Sequence, residues 1–588
     1  MEALSNLPPG APMMLGGLLL LLPWLRGRAL TVASFGLAVA SYLHFLALPS
    51  DLTITASIFG LDLVPVRLDA LSRVWGHIFH IAAVLSCLYA LHVEDRQQQA
   101  AGLIYAGAAI GAVFAGDLAT LFVWWEVTAV ASLVLIVAPE PGNADRDPRT
   151  AFRVGMRYLL IQVLSGVLLL AGLLLRLADG AAAGDDPPLA FGQLFSGDLL
   201  QADLSTWLIF LAFGIKAAFP LLHNWLQDAY PKATHTGSVF LSAFTTKMAI
   251  YALARGFAGT EALVWIGVVM TAFPIFYAVL ENDLRRVLSY SLNNQLGFMC
   301  VGIGIGSELA LAGAAAHAFA HILYKSLLFQ SVGAVLYRVG TAKATELGGL
   351  YKSMPWTTGF CIVGSMSISA FPLTSGFVTK SMILSAAAYE HRTVVFLALL
   401  FASAGVLDHS GIKIPYFAFF AHDSGLRPRE APWHMLVAMG VTAALCLLIG
   451  CLPGTFYGWI LPFDVHYEPY TTLHSLTQYQ LLFFAILAFV ALNKLGIYPH
   501  ERRSTNIDFD WTYRRLAPAA LGPLTRSVSR AWHGAIAAGM RRVRTVIDGA
   551  HDLFVPAGVI GRTWTVGQIV LWIMTLTAGY LILEFLRR

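Results

Sequence analysis

Charge is scarce in this chain. Asp, Glu, Lys and Arg make up 12% of its 588 residues and hydrophobic residues 57%, where a soluble domain carries roughly 25% charge. That balance excludes a water-soluble fold, and the chain reads as a polytopic protein of the lipid membrane. The net charge of +4 is small and its basic residues are not packed into one run, so no nucleic acid partner is expected. Cysteine is scarce as well. Cys87, Cys300, Cys361, Cys446 and Cys451 lie in apolar segments without CxxC spacing, which argues against a disulfide frame, a zinc site or an iron–sulfur cluster. Neither a phosphate-binding glycine loop nor a dinucleotide fingerprint is present. No cofactor and no metal is therefore expected on this chain, and any redox chemistry would be carried by another subunit. The start, MEALSNLPPGAPMM, has an acid and no basic stretch before the first apolar run, so that run is expected to remain as an uncleaved span.

What is abundant is apolar sequence in runs of about 20 residues, the length that crosses a bilayer. Sixteen are read, near 11–25, 29–48, 73–93, 100–117, 119–138, 154–177, 204–223, 236–256, 262–280, 286–305, 309–337, 357–389, 393–418, 432–452, 478–498 and 565–586. Between the second and third, DLTITASIFGLDLVPVRLD alternates apolar and polar residues and predicts a short external hairpin. With the Arg26/Arg28 loop inside, same-side loops carry about 14 basic residues, including Arg146, Arg149, Arg285, Arg286, Lys343, Arg427 and Arg429, against about five opposite. The N-terminus is accordingly expected outside, with the acidic loop Gly180 to Asp203 facing out, while Arg587 and Arg588 fit that orientation poorly. Pro499 to Arg562 is the one sizeable polar stretch. Within it, Leu524 to Phe554 spaces Arg526, Arg530, Arg541, Arg542 and Arg544 among aliphatic residues. It reads either as an amphipathic helix on the inner membrane face or a partner subunit, or as a solvated linker.

The chain is organised around FLAFGIKAAFPLLHNWLQDAYPKA, Phe210 to Ala233, which sets Lys216, Pro220 and His223 inside or at the mouth of an apolar segment. A lysine at the bilayer centre costs roughly a few kcal/mol, so it marks a functional site unless it snorkels to the headgroups. Pro220 lacks the N–H that would bond the Lys216 carbonyl, so the helix is expected to break beside its own charge. Irregular backbone at that depth needs protein or a water-filled cavity to receive its polar groups, which points to a hydrated ion site. The tetrapeptide Ala218-Phe219-Pro220-Leu221 recurs as Ala370-Phe371-Pro372-Leu373 in SAFPLTSGFVTKSMIL, with Lys380 two turns beyond the proline. Two proline-interrupted segments of this kind are the pointer to an inverted-repeat transporter with sites near the midplane.

Other intramembrane charges join them. Glu126 stands alone in LATLFVWWEVTAVASLVLIV. Brought near a buried lysine, the pair stabilises both charges, and pulled apart each is driven toward neutrality, so a small displacement can move a proton; a purely structural tie would look the same. Lys247, in FLSAFTTKMAIYALAR, follows Thr245 and Thr246 near mid-span and reads as lining a wetted path or anchoring an interface. His317, His321 and Lys325 recur every four residues and share one helix face. Such a stripe suits proton transfer; metal binding and simple packing are the competing readings. Asp408, His409 and Lys413 lie beside Gly411 and Pro415, which suggest a loosened helix end, and read either as the mouth of a path or as solvated end charges.

FVWWE at Phe122 to Glu126, KAAFPLLHNWLQDA from Lys216, NDLRRVLSYSLNNQLG from Asn282, the His317/His321/Lys325 stripe with KSLLFQSVGAVLYRVG, and TSGFVTKSMIL resemble the proton-translocating antiporter family. That family is shared by the large membrane-arm subunits of respiratory complex I and by Mrp-type Na+/H+ antiporters. The likeness covers roughly residues 60 to 450, and TTKMAIYALAR and GFVTK look most like the D-type component of Mrp antiporters. It implies an all-α membrane fold with a 14-helix core of two inverted five-helix repeats and two broken helices, here joined by an amphipathic segment and about two extra C-terminal spans. The expected division is N-terminal spans and hairpin at 1–99, repeats at 100–256 and 257–420, further spans at 421–498, the polar segment at 499–562 and a last span at 563–588. By motif match Glu126 and Lys216 would be the tunable ion pair, Lys247 the central relay, His317, His321 and Lys325 its continuation, and Lys380 the exchange residue toward the opposite side. The polar segment and the last span depart from the D-type pattern and look more like the distal membrane-arm component of complex I. The resemblance thus implies a proton-conducting subunit of an Mrp-type Na+/H+ antiporter in a bacterial inner membrane, partnered by components like Mrp A, B, C, E, F and G. A proton-pumping subunit of a quinone- or hydrogenase-linked oxidoreductase is the alternative, and a structural anchor the third reading.

Overall fold

The computed structural model describes residues 7–58, 60–140, 143, 147–183, 189–498, 506–555 and 564–587. Arg146, Arg588, part of the acidic loop after Gly180 and both ends of the 499–562 segment lie outside the described residues. The chain divides into two compact units, Met1–Asn506 and Ile507–Arg588.

The first unit begins with α1 (Ala11–Leu20) and α2 (Arg28–Ala47), then the predicted hairpin of β1 (Thr53–Ile58) and β2 (Leu61–Arg67), which pair antiparallel. After it come α3 (Ala70–Tyr89), α4 (Arg96–Phe114), α5 (Leu118–Val137), α6 (Pro148–Ala183), α7 (Leu204–Lys216) and α8 (Asn224–Ala229). Next are α9 (His235–Ala243), α10 (Thr245–Gly256), α11 (Glu261–Leu280), α12 (Leu284–Ile305) and α13 (Glu308–Val339). The unit closes with α14 (Pro355–Ile368), α15 (Ser375–Tyr389), α16 (Thr393–Val406), α17 (Trp433–Cys451), α18 (Pro453–Ile460) and α19 (Thr472–Lys494). The second unit holds α20 (Ala517–Phe554), which carries the five arginines of the stretch read as either an amphipathic helix or a solvated linker, and α21 (Val566–Arg587).

Among the described residues eleven helices are long and apolar enough to cross a membrane, against the sixteen apolar runs. Of the other five runs, α1 and α7 are short and the run at 357–389 is split into α14 and α15. The remaining two, α4 and α12, carry amides such as Gln98, Gln99, Asn293, Asn294 and Gln295, all buried. Encased by neighbouring helices rather than lipid, these two have no need of an apolar surface.

Three breaks shape the interior. In the first copy of the tetrapeptide Ala218 and Leu221 take φ of 61° and 70°, and in the second Ala370 and Leu373 take 58° and 68°. Both turns are closed the same way: Phe219 N–H donates to the Gly214 carbonyl and Phe371 N–H to the Met366 carbonyl, each at 3.0 Å. The third break, at Phe244 (φ −104°, ψ −66°), interrupts what reads in the sequence as one span from 236 to 256. No proline or glycine marks it. Tertiary contacts hold it open instead, with Thr245 N–H donating to Tyr105 Oη at 3.0 Å and Phe244 packed edge-on against Phe79 and Tyr105. By contrast α13 runs 32 residues without interruption and packs against α3, α9, α12, α14, α15 and α17.

The loosened helix end expected at Gly411 and Pro415 is not an end. Helical bonding continues past α16 in widened π turns, Leu407–Ile412 and Tyr416–Phe420. A π turn shifts bonding by one residue, and the chain passes Pro415 without stopping.

Left-handed backbone at an alanine is strained by about 1–2 kcal/mol. Ala370→Gly should therefore raise the thermal midpoint of the purified protein slightly, by the equivalent of about 1 kcal/mol, and Ala370→Val should lower it, because a β-branched residue resists φ near 58°. Thermal scanning fluorimetry of the two variants checks the order.

Candidate functional site

Lys216 is the last residue of α7, just before the first break, and is fully buried. Its Nζ donates to the Trp125 carbonyl (2.5 Å) and to Thr128 Oγ1 (3.1 Å), and lies 4.4 Å from the Trp125 ring centroid. Trp125 is itself fixed, since its Nε1 donates to Ser165 Oγ (2.9 Å), which donates to the Ala212 carbonyl (2.7 Å). Glu126 sits one residue from that carbonyl but does not ion-pair with the lysine. Its Oε1 is buried without a hydrogen-bond partner among the described residues and faces Gly166 of α6, where an added Cβ would overlap it. The ammonium and carboxylate thus share one turn of α5 while remaining unjoined, with the lysine bound to backbone and hydroxyl oxygens instead.

Lys247, also fully buried, lies at the start of α10 beyond the third break. The break exposes the Ser242 carbonyl, and Lys247 Nζ donates to it at 2.5 Å. The neighbouring Thr246 Oγ1 has no partner among the described residues.

The α13 stripe is wholly buried. His317 Nδ1 contacts Thr379 Oγ1 (3.1 Å) and its Nε2 contacts Gln295 Oε1 (3.2 Å), to which Tyr324 Oη also donates (3.1 Å). His321 stacks on His317 with ring centroids 6.2 Å apart. Both ring nitrogens of His321, the Lys325 ammonium, Ser326 Oγ and both amide atoms of Gln330 lack partners among the described residues. Native proteins rarely leave buried polar atoms unmatched, and ordered water is the usual remedy in a polar cavity. Among the described residues no group of three His, Cys, Asp or Glu could hold a metal ion.

Lys380, on α15, donates from Nζ to the Ile368 carbonyl at 3.1 Å and lies 5.0 Å from the Phe298 ring centroid. Ile368 is the residue whose carbonyl Pro372 leaves without an N–H. Thr379 next door holds His317, so Lys380 and the α13 stripe meet at one point.

Of the residues read as a path or mouth, His409, Lys413 and His223 are buried. His409 is buried within the π turns, its Nδ1 contacting Ser410 Oγ at 2.8 Å, and Ser410 Oγ donates to Ser291 Oγ at 2.7 Å. Lys413 donates to the Val279 and Glu281 carbonyls at 2.6 and 2.8 Å, closing the C-terminal end of α11. Asp408 is half-buried. His223 is buried ahead of α8 with its ring 4.6 Å from that of Phe273.

Sequence reasoning missed three contributors. Gln295 and Tyr324 bind His317, and the amide run Asn293-Asn294-Gln295 inside an apolar segment was a signal for them. Gly166 was invisible, because nothing in sequence says which glycine faces Glu126. Gly166→Ala should displace the Glu126 carboxylate and lower ion flux by about tenfold or more, the scale of a misplaced reacting group, while the protein still assembles. Combined with Glu126→Ala it should add no further loss. Flux assays on the single and double variants in vesicles check this.

Residues 115–406 match the family described as NADH:quinone oxidoreductase/Mrp antiporter, transmembrane. Hydrogenase-4 component B of Escherichia coli is 26% identical over 68% of this chain and 64% of its own length. The D component of the Na(+)/H(+) antiporter of Alkalihalophilus pseudofirmus is 30% identical over 53% of this chain and 63% of its own length. The match therefore spans somewhat under two thirds of either relative. In fold, the chain resembles a chain of the Mrp complex from Dietzia (TM-score 0.67, 21% identity, 82% of this chain and 100% of the other). It equally resembles one of the archaeal membrane-bound sulfane sulfur reductase (TM-score 0.68, 20% identity, 98% and 100%). The motif likeness, the matched segment and the shared, mostly helical fold agree: over residues 115–406 this chain belongs to the proton-translocating antiporter family common to Mrp antiporters and complex I membrane arms.

Proposed function

We propose that the chain is a proton-conducting subunit of a multi-subunit Mrp-type monovalent cation/proton antiporter in a bacterial inner membrane, working beside components like Mrp A, B, C, E, F and G and exchanging H+ for Na+. The supporting observation is the buried series from Lys247 through His321 and Lys325 to His317 and Lys380, in which each ammonium either binds a backbone carbonyl at a helix break or has no partner among the described residues. Ionisable groups kept from lipid and left partly unmatched suit proton transfer through bridging water. Lys216 and Glu126 serve as the adjustable element, because the carboxylate is close enough to compete with the Trp125 carbonyl for the ammonium once α5 or α7 shifts.

A second reading has its own support. The likeness to hydrogenase-4 component B and the 98% coverage by the sulfane sulfur reductase chain favour a proton-pumping subunit of a redox-driven complex, with the same interior driven by another module. Copurification separates the two: Mrp-like partners support antiport, and flavin or iron–sulfur subunits support redox pumping.

Lys216→Ala and Lys380→Ala should each abolish proton movement in vesicles, seen as loss of a Na+-induced ΔpH change, with the complex still assembled. Lys216→Met behaving as wild type would leave the lysines a merely structural role.

A further inference from the structure

The end of the first unit that carries the Arg28 loop holds a cluster absent from the conduction series described above. Arg96, at the start of α4, donates to the Leu25 carbonyl at 3.0 Å, which ties the loop before α2 to the loop between α3 and α4. Beside them opens a cavity of about 350 Å3 whose lining includes His92, Asp95, Gln98, Glu140, His235 and Tyr337. The β-hairpin lies at the other end, where Gly116 N–H donates to the Val64 carbonyl beyond α4.

We propose that His92, His235 and Glu140 form a port through which protons pass between this cavity and the buried stripe of α13. The inference rests on the proton-conducting reading and adds to it the place where the path meets water.

The three groups are in series. His92 Nε2 and His235 Nε2 are 2.8 Å apart, and His235 Nδ1 lies 2.5 Å from Glu140 Oε1. Two imidazole nitrogens at hydrogen-bond distance need a proton between them, and a carboxylate can only accept from His235 Nδ1. A proton reaching the buried His92 Nδ1, on a ring that also hydrogen-bonds the Tyr89 backbone, releases the Nε2 proton to His235 Nε2. His92 is left neutral in its other tautomer and His235 becomes an imidazolium facing the Glu140 carboxylate. One proton enters at His92 and one passes to His235, where the Glu140 carboxylate holds it. Burial by itself would raise the Glu140 carboxyl, but the hydrogen bond from His235 and the charge His235 carries once protonated, aided by Arg285, hold it down at about 2, so the carboxylate favours that imidazolium. The other charged or titratable neighbours are Glu94 and Asp95 at the cavity, Arg338 at the end of α13, and His434, whose ring stacks on His92 at 5.1 Å.

Two sets of polar groups lie inward of His235, and bridging water between them would carry the proton on. His235 opens α9, its carbonyl accepts from Ser238 Oγ at 3.0 Å, and the same helix ends near the Ser242 carbonyl that holds Lys247. On its other flank Tyr89 Oη donates to the Gln330 main-chain carbonyl at 2.8 Å. Gln330 is the wholly buried amide whose two side-chain polar atoms are unmatched among the described residues, about one turn from Lys325 and Ser326 on α13. Gly333 permits the approach, since a Cβ there would stand 2.9 Å from Tyr89 Oη and 3.2 Å from the His235 carbonyl.

Glu140 also accepts from the His235 backbone N–H, so a tie that merely holds α9 must be distinguished from a port. His92 makes the distinction. His92→Gly in the intact complex should slow Na+-induced proton movement by about tenfold, and added imidazole, small enough for the cavity, should restore much of it. Lys216→Ala should show no such rescue. Wild-type rate in His92→Gly, or an assembled complex whose loss imidazole does not relieve, overturns the port. If His92→Gly does not assemble, His92→Gln, which keeps a polar end but cannot relay a proton, should show the same loss, and an unchanged rate there overturns the proposal. An active His92 variant beside an inactive Lys216→Ala removes only the port, whereas activity in both removes the conduction reading itself.

Discussion

An ammonium group removed from water must find oxygen, and inside a bundle of intact helices nearly every backbone carbonyl is already occupied. This constraint organises the interior. Lys247 binds the Ser242 carbonyl at one break and Lys380 the Ile368 carbonyl at another, while Lys413 takes the last carbonyls of α11. Lys216 instead uses an unbroken helix, sharing the Trp125 carbonyl with the Thr128 hydroxyl, and Lys325 has no partner among the described residues. Charge and broken backbone are therefore mutually dependent: the breaks leave carbonyls that would be costly without a donor, and the lysines are donors that would be costly without those carbonyls.

The helix that carries the histidine stripe follows the opposite rule. α13 stays regular over its whole length, so His317, His321 and Lys325 keep one face, and it is the helices around it that break. A regular helix satisfies its own backbone, which leaves its side chains as the unmatched groups. His321, Lys325 and Gln330 are such groups among the described residues. Broken connections thus sit beside the stripe, where α10 and α15 pack against α13.

Gly166 and Glu126 show how little space the adjustable pair has. The carboxylate occupies the place of a missing side chain on α6 and lies next to the carbonyl that holds Lys216. With no ion pair formed, both partners keep alternatives open, and on the proposed function small movements of α5 against α6 and α7, rather than a locked salt bridge, would set the preference between them.

Much of this was determined by sequence alone. The scarcity of charge dictated a membrane fold, each buried lysine announced itself by the cost of its setting, and Pro220 and Pro372 marked two breaks because a missing N–H is a local, covalent fact. The hairpin was legible from its alternation. Tertiary structure alone decided the rest. The break at Phe244 arises from Tyr105 and aromatic packing, with no local signal, and the run at Gly411 and Pro415 stays helical because π turns absorb what reads locally as a stop. Which carbonyl each lysine binds, which glycine admits Glu126, and the meeting of His92 with His235 and Glu140 across 143 and 95 residues of chain depend on packing between distant segments. Local composition carries no record of such pairings, because they are selected by the geometry of the whole bundle.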